Sequence, residues 1–229
     1  MTAPATNISS PVSVVTVLYL RTKTLHVEAE RTGIIREILR GEASRYGYIL
    51  LLRNLLPAYR AMEYGLERHR GSAILGVLAR YTFDRAPAIE SDLTALCGET
   101  WSRDVPLLAA GELYASRVAL AAEGDGARLI AHAYTRYLGD LSGGQILQRL
   151  LARSLELRPA ELSFYEFPRC SDLDALKADY RKSLEQAGAR VADPRAVVEE
   201  GAIAFSLNID LSCAVQSVAL DGSTVTAAE

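Results

Sequence analysis

Between Arg45 and Arg68, apolar residues return at Ile49, Leu52, Leu56, Tyr59, Met62 and Leu66. A three-to-four spacing of this kind forms one continuous face on an α-helix. Pro57 falls inside the pattern, which resumes after it, so the spacing predicts a helix bent at Pro57 rather than ended there. Similar periodicity fills most of the chain. The composition agrees: 49% of the residues are apolar and only 7% aromatic, a mixture rich in Leu, Ala, Arg and Glu that favours helix over sheet. The sequence therefore predicts an all-α, single-domain protein of seven or eight helices over residues 11–220, with 1–10 and 221–229 as disordered ends. Val14, Val15, Thr16 and Val17 are β-branched and would suit a strand. No partner strand is visible, so they are read as the start of a helix reaching about Arg31. Asp193–Pro194 reads as N-cap and first residue of a last helix ending near Ala219. Ser171 with Asp174 reads as a capping-box-like start of the helix before it. Loops are expected at Gly71–Ser72, Arg85–Ala86–Pro87, Gly124–Asp125–Gly126 and Pro159–Pro168.

The net charge is −3 and no run of like charges occurs, which argues against nucleic acid as a partner but permits a local basic patch. Cys97, Cys170 and Cys213 are odd in number, far apart and outside any CxxC pair. Neither a disulfide framework nor a zinc site follows, and a reducing, cytoplasmic setting is the simpler expectation. The apolar stretch Val12–Leu20 is interrupted by Ser13 and Thr16 and follows no basic residue, so neither a secretory signal nor a membrane anchor is expected.

The segment Ala131–Leu150, AHAYTRYLGDLSGGQILQRL, keeps helical spacing yet holds Gly139, Gly143 and Gly144 within six residues. Each interior helical glycine costs about 1 kcal/mol against alanine. One reading ends the helix at Gly139 and restarts it at Gln145. The other keeps a long helix bent at its glycines, with Gly139 and Gly143 baring one face for something flat and wide.

YTRYLGDLSGGQIL resembles the signature of the heme oxygenase family. RTKTLHVEAE, LKADYRKSLE and AFSLNIDL are similar to three further segments of that family, in the same order. The resemblance implies an all-α fold with heme b, both substrate and cofactor, sandwiched between a proximal helix and a kinked distal helix. It implies that His26 binds the iron and that the ring is opened with O2 to biliverdin, carbon monoxide and ferrous iron. An electron donor such as a ferredoxin or a flavin reductase would be the partner. On the distal side the resemblance assigns catalytic roles to Asp140, Gly139, Gly143 and Gly144, and heme contacts to Tyr134, Thr135, Arg136, Ser142, Phe205 and Asn208. Lys177 and Arg181 would receive the propionates, with Lys23 on the His26 side. Tyr19, seven residues before His26, stands where some relatives carry a lysine, which weakens anchoring there.

The residues add support. Glu30 and Lys23 share the helical face of His26, so a carboxylate can hold the ring's other nitrogen and a cation can meet a heme carboxylate. A single imidazole ligand leaves the opposite iron position open for dioxygen. Asp140 is expected to hold water that delivers protons, where a strong acid would promote premature O–O cleavage. His69, in a charged run, reads as a solvated helix end, and His132 as a core hydrogen-bonding group. Two other functions use the same features: a heme carrier or sensor without turnover, and a thiaminase-like hydrolase that needs a nucleophilic cysteine.

Overall fold

The computed structural model describes residues 13–225, with side chains through Asp221. Its α-helices are α1 Val14–Arg31, α2 Gly33–Arg40, α3 Arg45–Arg68, α4 Gly76–Ala79, α5 Arg85–Cys97, α6 Trp101–Asp104, α7 Ala109–Ala121, α8 Leu129–Ala133, α9 Gly139–Ser154, α10 Leu173–Gly188 and α11 Pro194–Val225. A π-turn over Tyr134–Leu138 joins α8 to α9. Counting α8 to α9 as one rod, eight helices of eight residues or more occur among the described residues, and no strand does. The expected disordered lead-in 1–10 lies outside the described residues, as do 226–229.

The helices start where side chains satisfy their free N–H groups. The Ser13 hydroxyl accepts from Val15 N at 3.1 Å, and Ser44 from Gly47 N at 3.0 Å. The β-branched start of α1 is helical as expected, and α3 runs through Pro57 over the expected span. Central α3 packs its apolar face against α5, α7 and α11, with Leu50, Leu52, Leu56 and Met62 buried. α11 supplies the other long wall, lying along α1 and reaching α2, α3, α7 and α8. By length and composition Pro194–Asp221 could cross a membrane, with a mean hydropathy of 1.5; here it forms a wall of the core. Gly33 turns α1 into α2 at φ +59°, and a Cβ there would stand 2.4 Å from the Ser212 backbone on α11. Only glycine lets the start of α2 approach α11 so closely.

Four expectations need correction. Arg85–Ala86–Pro87 opens α5 instead of forming a loop: proline is tolerated in a first turn, and Glu63 accepts from the N–H groups of Arg85 and Ala86. The α10 cap is Asp172, which accepts from Ala175 N at 2.9 Å, so Ser171 is not the cap. Residues 221–225 continue α11 rather than starting a disordered tail. Pro159–Pro168 contains two 3-10 turns, Pro159–Glu161 and Ser163–Tyr165.

Buried Asp92 of α5 holds the second of these turns, accepting from Ser163 N at 2.7 Å and Phe164 N at 2.9 Å. Burial pushes its carboxyl up to about 6, against those backbone hydrogen bonds. A carboxyl raised on folding favours the native state while protonated and costs stability as pH rises through 6. Asp92→Asn should therefore gain thermal stability relative to the parent as pH rises from 4 to 7. A difference in Tm that stays constant over this range would refute the assignment.

Candidate active site

A cleft of about 550 Å³ opens between α1 and the rod formed by α8, the π-turn and α9, with α11 closing one end. All the sequence-predicted site residues line it except Lys177 and Arg181. From α1 come Lys23, His26 and Glu30; from the rod come Tyr134, Thr135, Arg136, Gly139, Asp140, Ser142, Gly143 and Gly144; from α11 come Phe205 and Asn208.

The glycine segment is helical, not a loop. Gly139 has φ −62° and ψ −49°, and neither Gly143 nor Gly144 has positive φ. The departure from α-helix falls on Tyr134–Leu138, ahead of the glycines rather than at them. An extra residue in one turn shifts the faces presented before and after it. A Cβ on Gly139 or Gly143 would meet no atom within 4 Å, whereas one on Gly144 would touch Tyr165 at 3.4 Å. Two of the three glycines thus have helical backbone and open space. Internal packing does not require glycine at those positions.

Across the cleft, the His26 ring lies 5.9 Å from that of Phe205. Glu30 Oε1 is 3.6 Å from His26 Nδ1, the expected nitrogen but beyond hydrogen-bonding distance. No hydrogen bond to Nε2 occurs among the described residues, leaving it available to a ligand.

Asp140 is buried and accepts from the Tyr59 hydroxyl at 2.6 Å. Arg136 donates to that same hydroxyl at 2.9 Å and to Asn208 Oδ1 at 2.7 Å, and its Nη2 lies 3.6 Å from Asp140. Burial raises the Asp140 carboxyl above the ordinary range, and the Arg136 charge and Tyr59 hydrogen bond oppose it. Arg136, expected as a ligand contact, lines the cleft while its hydrogen bonds go to Tyr59 and Asn208 and its guanidinium stands near Asp140. The Thr135 hydroxyl is likewise taken by Ala131 O, one turn back, at 2.9 Å. Tyr59 entered the sequence reading only as a point on an apolar stripe. Its signal was chemical: a buried tyrosine needs a partner for its hydroxyl.

Burial raises the Tyr134 phenol, with Thr22 and the Arg181 charge opposing it, so the hydroxyl stays protonated and can donate. Neither Arg181 nor Lys177, one turn earlier on α10, lines the cleft. Tyr19 does.

The other histidines are occupied. His132 is fully buried with Nε2 2.9 Å from Glu200. His69 is not simply solvated: it is half-buried, with Nε2 2.8 Å from Ala122 O. None of the three cysteines lines the cleft, which leaves a thiol-dependent hydrolase without its nucleophile. A larger cavity of about 840 Å³ lies around Arg80, Phe83, Phe167 and Cys170, with no histidine in its lining.

A profile of the heme oxygenase family matches residues 13–214. Heme oxygenase 1 of Nostoc sp. is 35% identical over 195 residues, covering 85% of this chain and 82% of the relative. Human heme oxygenase 1 is 34% identical over 193 residues, covering 83% and 67%. Among solved structures, Synechocystis heme oxygenase-1 in complex with heme superposes with a TM-score of 0.85 at 30% identity, covering 94% of this chain and 98% of that one. The heme oxygenase of Leptospira interrogans gives 0.82 at 32% identity, covering 88% and 99%. Helical fold, glycine-floored cleft and matched sequence agree, and the chain belongs to the heme oxygenase family.

Proposed function

We propose that this heme oxygenase takes heme b into the cleft between α1 and α9 and, with O2 and reducing equivalents, opens it to biliverdin, carbon monoxide and ferrous iron. The observation that carries this is the bare helical face of Gly139 and Gly143, set across the cleft from His26. The residues fit the group: His26 offers an uncommitted ring nitrogen for the iron, and two bare glycines leave room for a flat macrocycle. Lys23 and Arg181, with the Tyr19 and Tyr134 hydroxyls, would receive the propionates, and Lys177 would add charge from α10. When bound, heme supplies the oxygen chemistry. The chain's own part is placement and proton handling. Ser142 and the glycine backbone exclude bulk from the distal side. Asp140, Tyr59, Arg136 and Asn208 form a preorganised cluster that can hold water and pass protons. A cytoplasmic setting and a ferredoxin or flavin reductase as donor complete the reading.

Reconstitution with heme, followed by ferredoxin with its reductase or by ascorbate, should yield a bilin identified by chromatography. Heme binding with reduction but no bilin would leave a carrier or sensor instead.

The glycine face makes a prediction of its own. Gly143→Ala should stabilise the ligand-free chain by about 1 kcal/mol through helix propensity, since its Cβ meets open space. The same methyl narrows the cleft, so heme should raise the Tm of the variant less than that of the parent, and turnover should slow. Equal stabilisation by heme with parental turnover would remove this face from the substrate surface.

A further inference from the structure

Arg85 opens α5 and lies outside the cleft lining, yet its side chain is only 2% exposed. A buried guanidinium is costly unless its donors are satisfied. All four hydrogen bonds that it makes among the described residues end on backbone carbonyls: two on Phe83 at 2.9 and 2.7 Å, one on Glu166 at 2.6 Å and one on Phe164. The guanidinium also packs over the Phe167 ring, 4.3 Å from its centroid. Two turns further along α5, buried Asp92 accepts from the N–H groups of Ser163 and Phe164. From the other side, Gln145 of α9 donates to the Tyr165 carbonyl at 2.8 Å. The carbonyls of Phe164, Tyr165 and Glu166 are thus each taken by a side chain of another element. Phe164 is held from α5 at both its N–H and its carbonyl.

This segment is the partition between the two cavities. Phe164 and Tyr165 line the cleft, whereas Ser163, Glu166 and Phe167 line the cavity of about 840 Å³ together with Arg85. On the cleft side the Phe164 ring stands edge-on to Tyr59, with centroids 5.4 Å apart and planes at 76°. Tyr59 carries the hydroxyl that donates to Asp140 at 2.6 Å. We propose that Arg85 is a positioning residue for this hydroxyl: its planar fork of donors fixes the Phe164 backbone, the Phe164 ring backs Tyr59, and Tyr59 is thereby held on Asp140. Lysine cannot take its place, because an ammonium has no planar fork to span the carbonyls of Phe83, Phe164 and Glu166. The proposal rests on the heme oxygenase reading and extends the machinery behind Asp140 to α5.

The first readout uses the ligand-free chain. In the parent, proton NMR should show NOEs between the Phe164 and Tyr59 rings and Tyr59 resonances shifted by the Phe164 ring current. Arg85→Ala should lose the NOEs and move those resonances towards their positions in Phe164→Leu, which removes the ring directly. Guanidinium at sub-denaturing concentration should restore both in Arg85→Ala, because the emptied site opens on the second cavity. It should restore nothing in Phe164→Leu. Arg85→Lys keeps the charge and the apolar stem, should show the same loss, and carries the test if Arg85→Ala does not fold. With heme and a reductant, kcat for bilin formation should fall about tenfold in either Arg85 variant and in Phe164→Leu, with KM near the parent's. Because both residues act through one placement, the double variant should be no slower than Phe164→Leu alone. Additive losses, or Phe164–Tyr59 NOEs undiminished in the Arg85 variants, would overturn the proposal. A parent that binds heme but makes no bilin defeats the activity reading instead, and the NMR comparison still decides whether Arg85 places Tyr59.

Discussion

In Asp140→Ala, bilin formation is expected to fall roughly 10²–10⁴-fold, the range typical of losing a positioned proton-transfer group, while heme affinity stays within a few-fold of the parent. The asymmetry follows from where Asp140 sits. It lines the cleft but is buried, and its carboxylate engages Tyr59 at 2.6 Å and lies near Arg136 rather than open solvent. Burial pulls its carboxyl towards protonation and the Arg136 charge pulls it back. Truncation to alanine also leaves the Tyr59 hydroxyl without its acceptor, at a cost of about 1–3 kcal/mol in stability. Asp140→Asn separates the two effects. The amide oxygen still accepts from Tyr59, so most of the stability should return, yet the titratable proton is gone and bilin formation should stay low. Parental rates of bilin formation in either variant would end the proton-delivery role.

How much of this was legible depended on which property each residue needed. The span of α3 was readable through Pro57 because six apolar positions repeated in phase, and the Val14 start of α1 was readable because no strand partner existed for it. Arg85–Ala86–Pro87 misled because proline marks both loops and first helical turns, and the cap that decides between them, Glu63, lies on a different helix. The π-turn at Tyr134–Leu138 changes the period for a single turn, too short for a pattern to reveal. The glycines stood out because three within six residues are costly in a helix, whereas His26 and Asp140 stood out through the resemblance of their segments to the heme oxygenase family. The Tyr59–Arg136–Asn208 cluster was less so: its members come from α3, the rod and α11, and only packing brings them together. Lys177 and Arg181 shared a face as their spacing required, but the placement of α10 left them outside the cleft lining.

His26→Ala is expected to abolish histidine coordination of heme iron while leaving the ligand-free fold nearly unchanged. The side chain is 60% exposed and its nearest polar neighbour, Glu30, is 3.6 Å away, so truncation should change stability by no more than about 0.5 kcal/mol. No other histidine can substitute. His132 is sealed against Glu200, and His69 is engaged with Ala122 O away from the cleft lining. Apolar burial between Phe205 and the glycine face should still retain some heme, so the variant should bind more weakly and show a lower heme-dependent gain in Tm. Its Soret band and low-temperature EPR should lose the histidine signature, and added imidazole should restore both, because the cleft left by the truncated side chain can hold the free ring. Glu30→Gln should act in the same direction but less, weakening iron coordination by roughly tenfold as expected for a partner of a ligating imidazole. An unchanged spectrum in His26→Ala would show that the iron is held elsewhere, and the proximal assignment of α1 would fall with it.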